Sequence, residues 1–83
     1  MTNIAFSRIV RLSDRQWEFN FRKLPGEMPN FHVDVTDAKG ERIQFSMYKD
    51  AHGRWHTTGR SLPLWIANEE EILGATIEEG VAI

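Results

Sequence analysis

Two turns in this chain carry almost the same four residues, Asp37-Ala38-Lys39-Gly40 and Asp50-Ala51-His52-Gly53. Aspartate at the first position and glycine at the fourth suit a type I turn closed by a glycine bulge, which joins two antiparallel strands. Each turn therefore predicts a hairpin. Together the two hairpins determine how three consecutive strands pair.

The strands on either side of the turns can be aligned residue by residue. Closing the first hairpin with an Asp37–Glu41 pair sets three apolar pairs on one face: Val35 with Ile43, Val33 with Phe45, and Phe31 with Met47. A slip of one residue would move all of these side chains to the other face, so their agreement supports the register. The second turn then pairs Tyr48 with His56 and puts Trp55 on the apolar face.

Two more strands are predicted before the hairpins, over about Ile4–Leu12 and Gln16–Leu24, with a tight turn at Ser13-Asp14 between them. The second alternates cleanly, and its row Trp17, Phe19 and Phe21 belongs to the apolar face. The first has one exception, because Ile9 breaks the alternation. Either a β-bulge or an edge position would account for that residue.

The apolar period changes near Pro63, from every second residue to every third or fourth. Asn68 followed by Glu71 is typical of a capped helix start, which predicts a helix over about 68–80. Its expected apolar stripe consists of Ile72, Leu73, Thr76, Ile77 and Val81. Pro63–Ile66 is either a first helical turn or a loop, and core packing is favoured over a partner contact for Trp65.

These segments predict one α+β domain: a five-stranded antiparallel β-meander over about residues 4–58, with one C-terminal α-helix packed on its apolar face. The chain has 83 residues, which suits a single small domain. It has no cysteine, and no apolar run is long enough to span a bilayer. The N-terminus lacks the features of a signal peptide, so we expect a cytoplasmic protein with no membrane contact.

The register leaves one polar face of the sheet uncovered, and candidate binding residues are sought there. Six side chains on that face combine charge, hydrogen bonding and aromatic character: Arg22, His32, Arg42, Ser46, Tyr48 and His56. His32, Ser46 and Thr58 are expected in one cross-strand row, and Tyr48 and His56 in the next. Any binding site is expected here or along the sheet edges.

Neither a metal site nor catalysis is predicted from these residues. His32 and His56 are separated by a whole strand, about 12 Å between Cβ atoms, which is too far for a shared zinc ion. Ser46, His32 and Asp34 nominally supply a catalytic set, but the middle of an open sheet offers no pocket and no oxyanion donors. The chain is therefore interpreted as non-enzymatic and without a cofactor.

Two binding functions remain open. An open meander has edge strands that can accept another strand, so we expect an interaction domain that binds a protein partner or forms a homodimer through a sheet edge. The alternative is weak single-stranded nucleic-acid binding on the polar face, with Tyr48, His32 and His56 as the stacking surface. A pI of about 5.9 argues against this alternative.

Overall fold

The computed structural model describes residues 4–27, 29–59 and 62–81. Within these residues, five strands form one antiparallel sheet in chain order, and two helices follow them. The elements are β1 (Ala5–Leu12), β2 (Arg15–Lys23), β3 (Asn30–Thr36), β4 (Arg42–Lys49), β5 (Trp55–Thr58), α1 (Leu64–Ala67) and α2 (Glu70–Val81). The predicted α+β meander with a C-terminal helix is confirmed.

The twin turns form as their sequences predict. In each, the aspartate Oδ1 accepts hydrogen bonds from the backbone N–H groups two and four residues later, at 2.8–2.9 Å. Gly40 and Gly53 have φ angles of 83° and 81°, in the left-handed region that favours glycine. The observed register of β3, β4 and β5 matches the predicted pairs throughout.

Strands β1 and β2 are joined by a two-residue turn in which Ser13 and Asp14 have φ angles of 51° and 60°. Positive φ at both positions matches the right-handed twist of a hairpin. Pairing runs without interruption from Ala5–Arg22 to Leu12–Arg15, so the strand contains no bulge. Ile9 breaks the alternation because β1 is an edge strand, and its side chain is 67% exposed.

The core lies between one sheet face and the helices. Every strand and helix except β5 contributes buried residues to the core. They are Val10, Leu12, Phe19, Phe21, Phe31, Val33, Val35, Phe45, Met47, Ile66, Leu73 and Ile77. Trp55 of β5 packs against them. Trp17 and Trp65 also pack there and stack on each other, with ring centroids 4.4 Å apart. The favoured core position of Trp65 is thus observed, while neighbouring Leu64 is exposed.

The start of the main helix differs from the prediction. Residues 64–67 form a separate turn of helix, and Asn68, with φ −80° and ψ −2°, caps the C-terminal end of that turn. The first backbone bond of α2 runs from the Leu73 N–H to the Glu69 carbonyl, at 3.0 Å. Asn68 is therefore not the N-cap of α2, because its backbone already has helical angles.

The buried stripe of α2 also differs from the expected one. Leu73, Gly74 and Ile77 are buried, whereas Ile72 and Val81 are 46% and 44% exposed. Two of the expected stripe residues were therefore assigned wrongly. The helix turns a glycine toward the sheet, because a side chain at position 74 would collide with Trp55. Apolar periodicity cannot detect a contact made by a residue without a side chain.

Ion pairing ties the helix to the sheet. Lys49 Nζ in β4 lies 2.6 Å from Glu78 Oε1 in α2. The hydrogen bond and charge of Lys49 hold the pKa of Glu78 below its usual range, with a smaller effect from the Trp55 N–H. That indole N–H is buried and has no hydrogen bond of standard geometry within the described residues.

No helix in this described part is long and apolar enough to cross a membrane.

Candidate binding surfaces

The sheet face opposite α2, called the outer face below, carries all six predicted candidate residues. Arg22 pairs with His32, His32 with Ser46, and Ser46 with Thr58, so the first predicted row is present and extends to Arg22. Tyr48 pairs with Asn30 and His56, which forms the second row. Arg42 lies apart from both rows, paired with Thr36.

A third row, of which the candidate set included only Arg42, is joined by hydrogen bonds across four strands. Ser7 Oγ donates to Asn20 Oδ1 at 2.5 Å, and Asn20 Nδ2 donates to Asp34 Oδ1 at 2.8 Å. Arg42 binds the other Asp34 oxygen at 2.9 Å. The two-residue turn at Ser13-Asp14 already implied that Ser7 faces Asn20, so the β1–β2 register was the signal that could have found this row.

Asp34 is the acceptor at the centre of this row. Partial burial alone would raise the pKa of its carboxyl group, but the hydrogen bonds from Asn20 and Arg42 and the charge of His32 outweigh burial. The net effect is a lowered pKa. The carboxylate is therefore a satisfied acceptor that organises the outer face, which makes it a poor proton donor or acceptor for catalysis near neutral pH.

The outer face has a shallow depression of about 420 Å³ beside this row. Of the six candidates, it brings together Arg22, His32 and Arg42 and leaves out Ser46, Tyr48 and His56. The depression holds two arginines against a single carboxylate, Asp34, which already binds one of them. Its chemistry suits a small anion better than a cation.

Two aromatic side chains of the second row, Tyr48 and His56, form a small separate cluster. The Tyr48 and His56 rings are 5.2 Å apart between centroids and tilted by 31°. His56 Nε2 donates to Asp50 Oδ2 at 2.7 Å, so the aspartate that builds the second turn also fixes the histidine ring. Asp37, its counterpart in the first turn, makes the two backbone contacts but no such contact to a histidine within the described residues.

The His56 contact predicts how Asp50 titrates. The hydrogen bond from His56, followed by those from the Arg54 and His52 backbone, lowers the pKa of Asp50 from 3.8 to about 2. Because the folded-state pKa is depressed, the turn's contribution to stability is present above pH 3.8 and is lost as the pH falls toward 2. In a carboxyl NMR titration, we expect His56→Ala to raise the midpoint of Asp50. An unchanged midpoint would contradict this role for His56.

Histidines and carboxylates do not cluster elsewhere in a metal-binding arrangement. Over residues 4–27, 29–59 and 62–81, no group of three His, Cys, Asp or Glu side chains could hold a metal ion. His56 is engaged with Asp50, and His32 lies in a different row beside Arg22.

The outer edge of β5 is covered by a glutamate of α2. Glu70 Oε2 accepts hydrogen bonds from the Thr57 backbone N–H at 2.6 Å and from the Thr57 hydroxyl at 2.9 Å. That N–H points away from β4, and it is one of the groups that an added strand would need. Glu71 and Glu78 line the same groove between β5 and α2. At the β5 edge, one of the two predicted docking edges, a backbone N–H that an added strand would need is thus already bound.

The outer edge of β1 contrasts with it. The Lys23 N–H donates to the Ile4 carbonyl at 2.9 Å. Because backbone groups alternate in direction along a strand, the N–H and carbonyl groups of the even-numbered residues of β1 face β2. The groups that face outward therefore belong to four odd-numbered residues, Ala5, Ser7, Ile9 and Arg11, called the β1 edge below. Among the described residues, one side-chain hydrogen bond reaches these outward backbone groups, from the Arg8 guanidinium to the Ser7 carbonyl at 2.9 Å. Within the described residues, β2 is the single strand neighbour of β1.

Comparison with known proteins gives no relative to which these surfaces can be matched. No family model, no curated protein and no solved structure matches the chain.

Proposed function

We propose that this chain is a small, non-enzymatic, cytoplasmic interaction domain that accepts an extended segment of a protein partner along the β1 edge. The observation that carries the proposal is the inequality of the two sheet edges. At β5 the Thr57 N–H is taken by Glu70, whereas four of the eight residues of β1 present their N–H and carbonyl groups outward, in a row along the strand. Strand addition needs such a row.

Ile9 adds an apolar contact to this row of backbone groups. Its side chain projects from the middle of β1 on the outer face, and 67% of it is exposed. In strand addition, backbone hydrogen bonds supply affinity and alternate side chains supply specificity. Ile9 is in position to contact an apolar side chain of the added strand, which would remove both from water.

The test starts from a displayed library of linear peptides, selected against the full chain. For selected peptides, we expect amide NMR shifts concentrated in Ala5–Leu12. Ile9→Pro should abolish this binding, because proline cannot donate to an added strand and the Ile9 N–H makes no bond to β2. Ile9→Ser is the matched variant: it keeps the backbone donor, so weakened but detectable binding is expected. Shifts that avoid β1, or full binding by Ile9→Pro, would overturn the proposal.

The alternative function, binding of single-stranded nucleic acid, is favoured by one observation. The outer face combines the Tyr48–His56 ring pair with Arg22 and Arg42 beside the depression. Such a surface could stack a base and bind a phosphate. Titration with labelled single-stranded DNA or RNA separates the two functions. Salt-sensitive affinity with amide shifts at Tyr48 and His56 would support the alternative, and absence of binding at low salt would remove it.

A further inference from the structure

The β1 edge can pair with the same edge of another copy, because its sequence is compatible with a two-fold axis. A symmetric antiparallel pair must match the outward backbone groups of both copies, so odd-numbered residues must face odd-numbered residues. Within Ala5–Leu12, the two longest symmetric overlaps are centred on Arg8, pairing residues 5–11, and on Ile9, pairing residues 6–12. The side chains decide between these two registers.

Arg8 excludes the first register. Its side chain has the same parity as Phe6 and Val10, and its guanidinium lies over the Phe6 ring, 5.2 Å from the centroid. In a pair centred on Arg8, the two guanidinium groups would face each other directly, and like charges opposite each other destabilise a sheet. An inward-pointing charge on an edge strand protects against unwanted pairing, and here it acts against one register in particular.

Ile9 favours the second register. The two exposed isoleucine side chains would meet on the axis, and Arg8 would face the partner's Val10 instead of a second arginine. Arg11 would lie opposite the partner's Ser7, whose hydroxyl begins the hydrogen-bonded row through Asn20. The Ser7 carbonyl, which accepts from Arg8, retains a second lone pair for the new backbone bond.

We propose that the segment bound by the β1 edge is β1 of a second copy, paired antiparallel with Ile9 on the two-fold axis, so that the two sheets form one continuous sheet. This inference rests on the proposed function and specifies its partner. The two β1 strands then share three hydrogen-bonded residue pairs: Ile9 with the partner's Ile9, and Ser7 with the partner's Arg11, which occurs twice by symmetry.

Disulfide trapping tests the register, because the chain contains no cysteine of its own. Residues in a hydrogen-bonded antiparallel pair have Cα atoms about 5.5 Å apart, within the range that a disulfide spans. Under mild oxidation, Ile9→Cys should form a covalent dimer at least about tenfold faster than Tyr48→Cys, an exposed control on β4. A mixture of Ser7→Cys and Arg11→Cys should cross-link faster than either variant alone.

Other outcomes would overturn the inference. Faster formation of the mixed dimer from Ser7→Cys and Ile9→Cys than from Ser7→Cys and Arg11→Cys would indicate the register centred on Arg8, and both mixtures leave Arg8 in place. Sedimentation equilibrium of the unmodified chain should show a dimer that Ile9→Pro converts to a monomer, and a monomer at every concentration would refute self-pairing. In that case, display-selected peptides that still bind Ala5–Leu12 would leave the proposed function standing. If no peptide binds there either, both fail.

Discussion

Replacing Glu70 by alanine should lower the free energy of unfolding by about 2 kcal/mol, since hydrogen bonds to a charged group contribute about 1.5–3 kcal/mol. The carboxylate accepts hydrogen bonds from both the backbone N–H and the hydroxyl of Thr57, and neither group has another side-chain acceptor among the described residues. The same substitution exposes the β5 edge. We therefore also expect concentration-dependent association of Glu70→Ala through β5, in addition to any pairing of the unmodified chain.

Two variants at the start of α2 control this experiment. Glu71→Ala removes an exposed carboxylate one residue away and should change stability by less than about 0.5 kcal/mol. Glu70→Gln keeps an acceptor oxygen but loses the charge, so its stability should fall between those of the unmodified chain and Glu70→Ala. Urea unfolding and light scattering measure the two effects. Equal stabilities for Glu70→Ala and Glu71→Ala would contradict the assigned role.

The second large effect is expected at Gly74. Glycine to alanine at an exposed helix position usually stabilises by about 1 kcal/mol. At Gly74 an added Cβ would lie 2.5 Å from Trp55 Cγ and 2.7 Å from Trp55 Cβ. Since the Trp55 Cβ is attached to the β5 backbone, the helix itself must move, and overpacking of this kind costs up to about 3 kcal/mol. We expect Gly74→Ala to destabilise the fold by about 2 kcal/mol, the difference between these terms.

Gly80 provides the matched comparison on the same helix. A Cβ at Gly80 would meet the end of the Phe6 ring, 2.5 Å from Cζ and 2.8 Å from Cδ2. The end of a half-buried side chain can move without its backbone, so Gly80→Ala should cost less than Gly74→Ala. Adding Phe6→Leu should offset the Gly80→Ala collision, which a double-mutant cycle measures as a coupling energy. If chemical denaturation showed Gly74→Ala to be more stable than Gly80→Ala, the assignment would be contradicted.

The sheet could be predicted from the sequence because local residues determine it. Asp37 and Asp50 build their turns with their own side chains, and each turn fixes the register of the strands beside it. The polar rows of the outer face follow from that register, so four of the six candidate residues, His32, Ser46, Tyr48 and His56, were placed in their rows correctly. Ser7 and Asn20 were omitted because the turn at Ser13-Asp14 was recognised without using the pairing that it implies.

The helix was predicted less accurately because its position depends on contacts with the sheet. Asn68 followed by glutamates resembles a capped start, yet the preceding turn of helix places Asn68 at its own C-terminal end. The buried stripe follows Gly74 rather than Ile72, because the Trp55 side chain needs the space that a glycine leaves. The sequence allowed a helical turn at Pro63–Ile66 without deciding it, and the contact between Gly74 and Trp55 forms only when the helix packs on the sheet.

The sequence by itself determined the strand order and the register of β3, β4 and β5, since turns and alternation are short-range properties of the chain. Tertiary structure alone decided which sheet edge has an outward backbone N–H bound by a side chain. Glu70 and Thr57 are thirteen residues apart, and their hydrogen bonds form only after α2 has packed across the sheet. That packing covers β5, while β1 keeps an edge on which Ile9 is exposed.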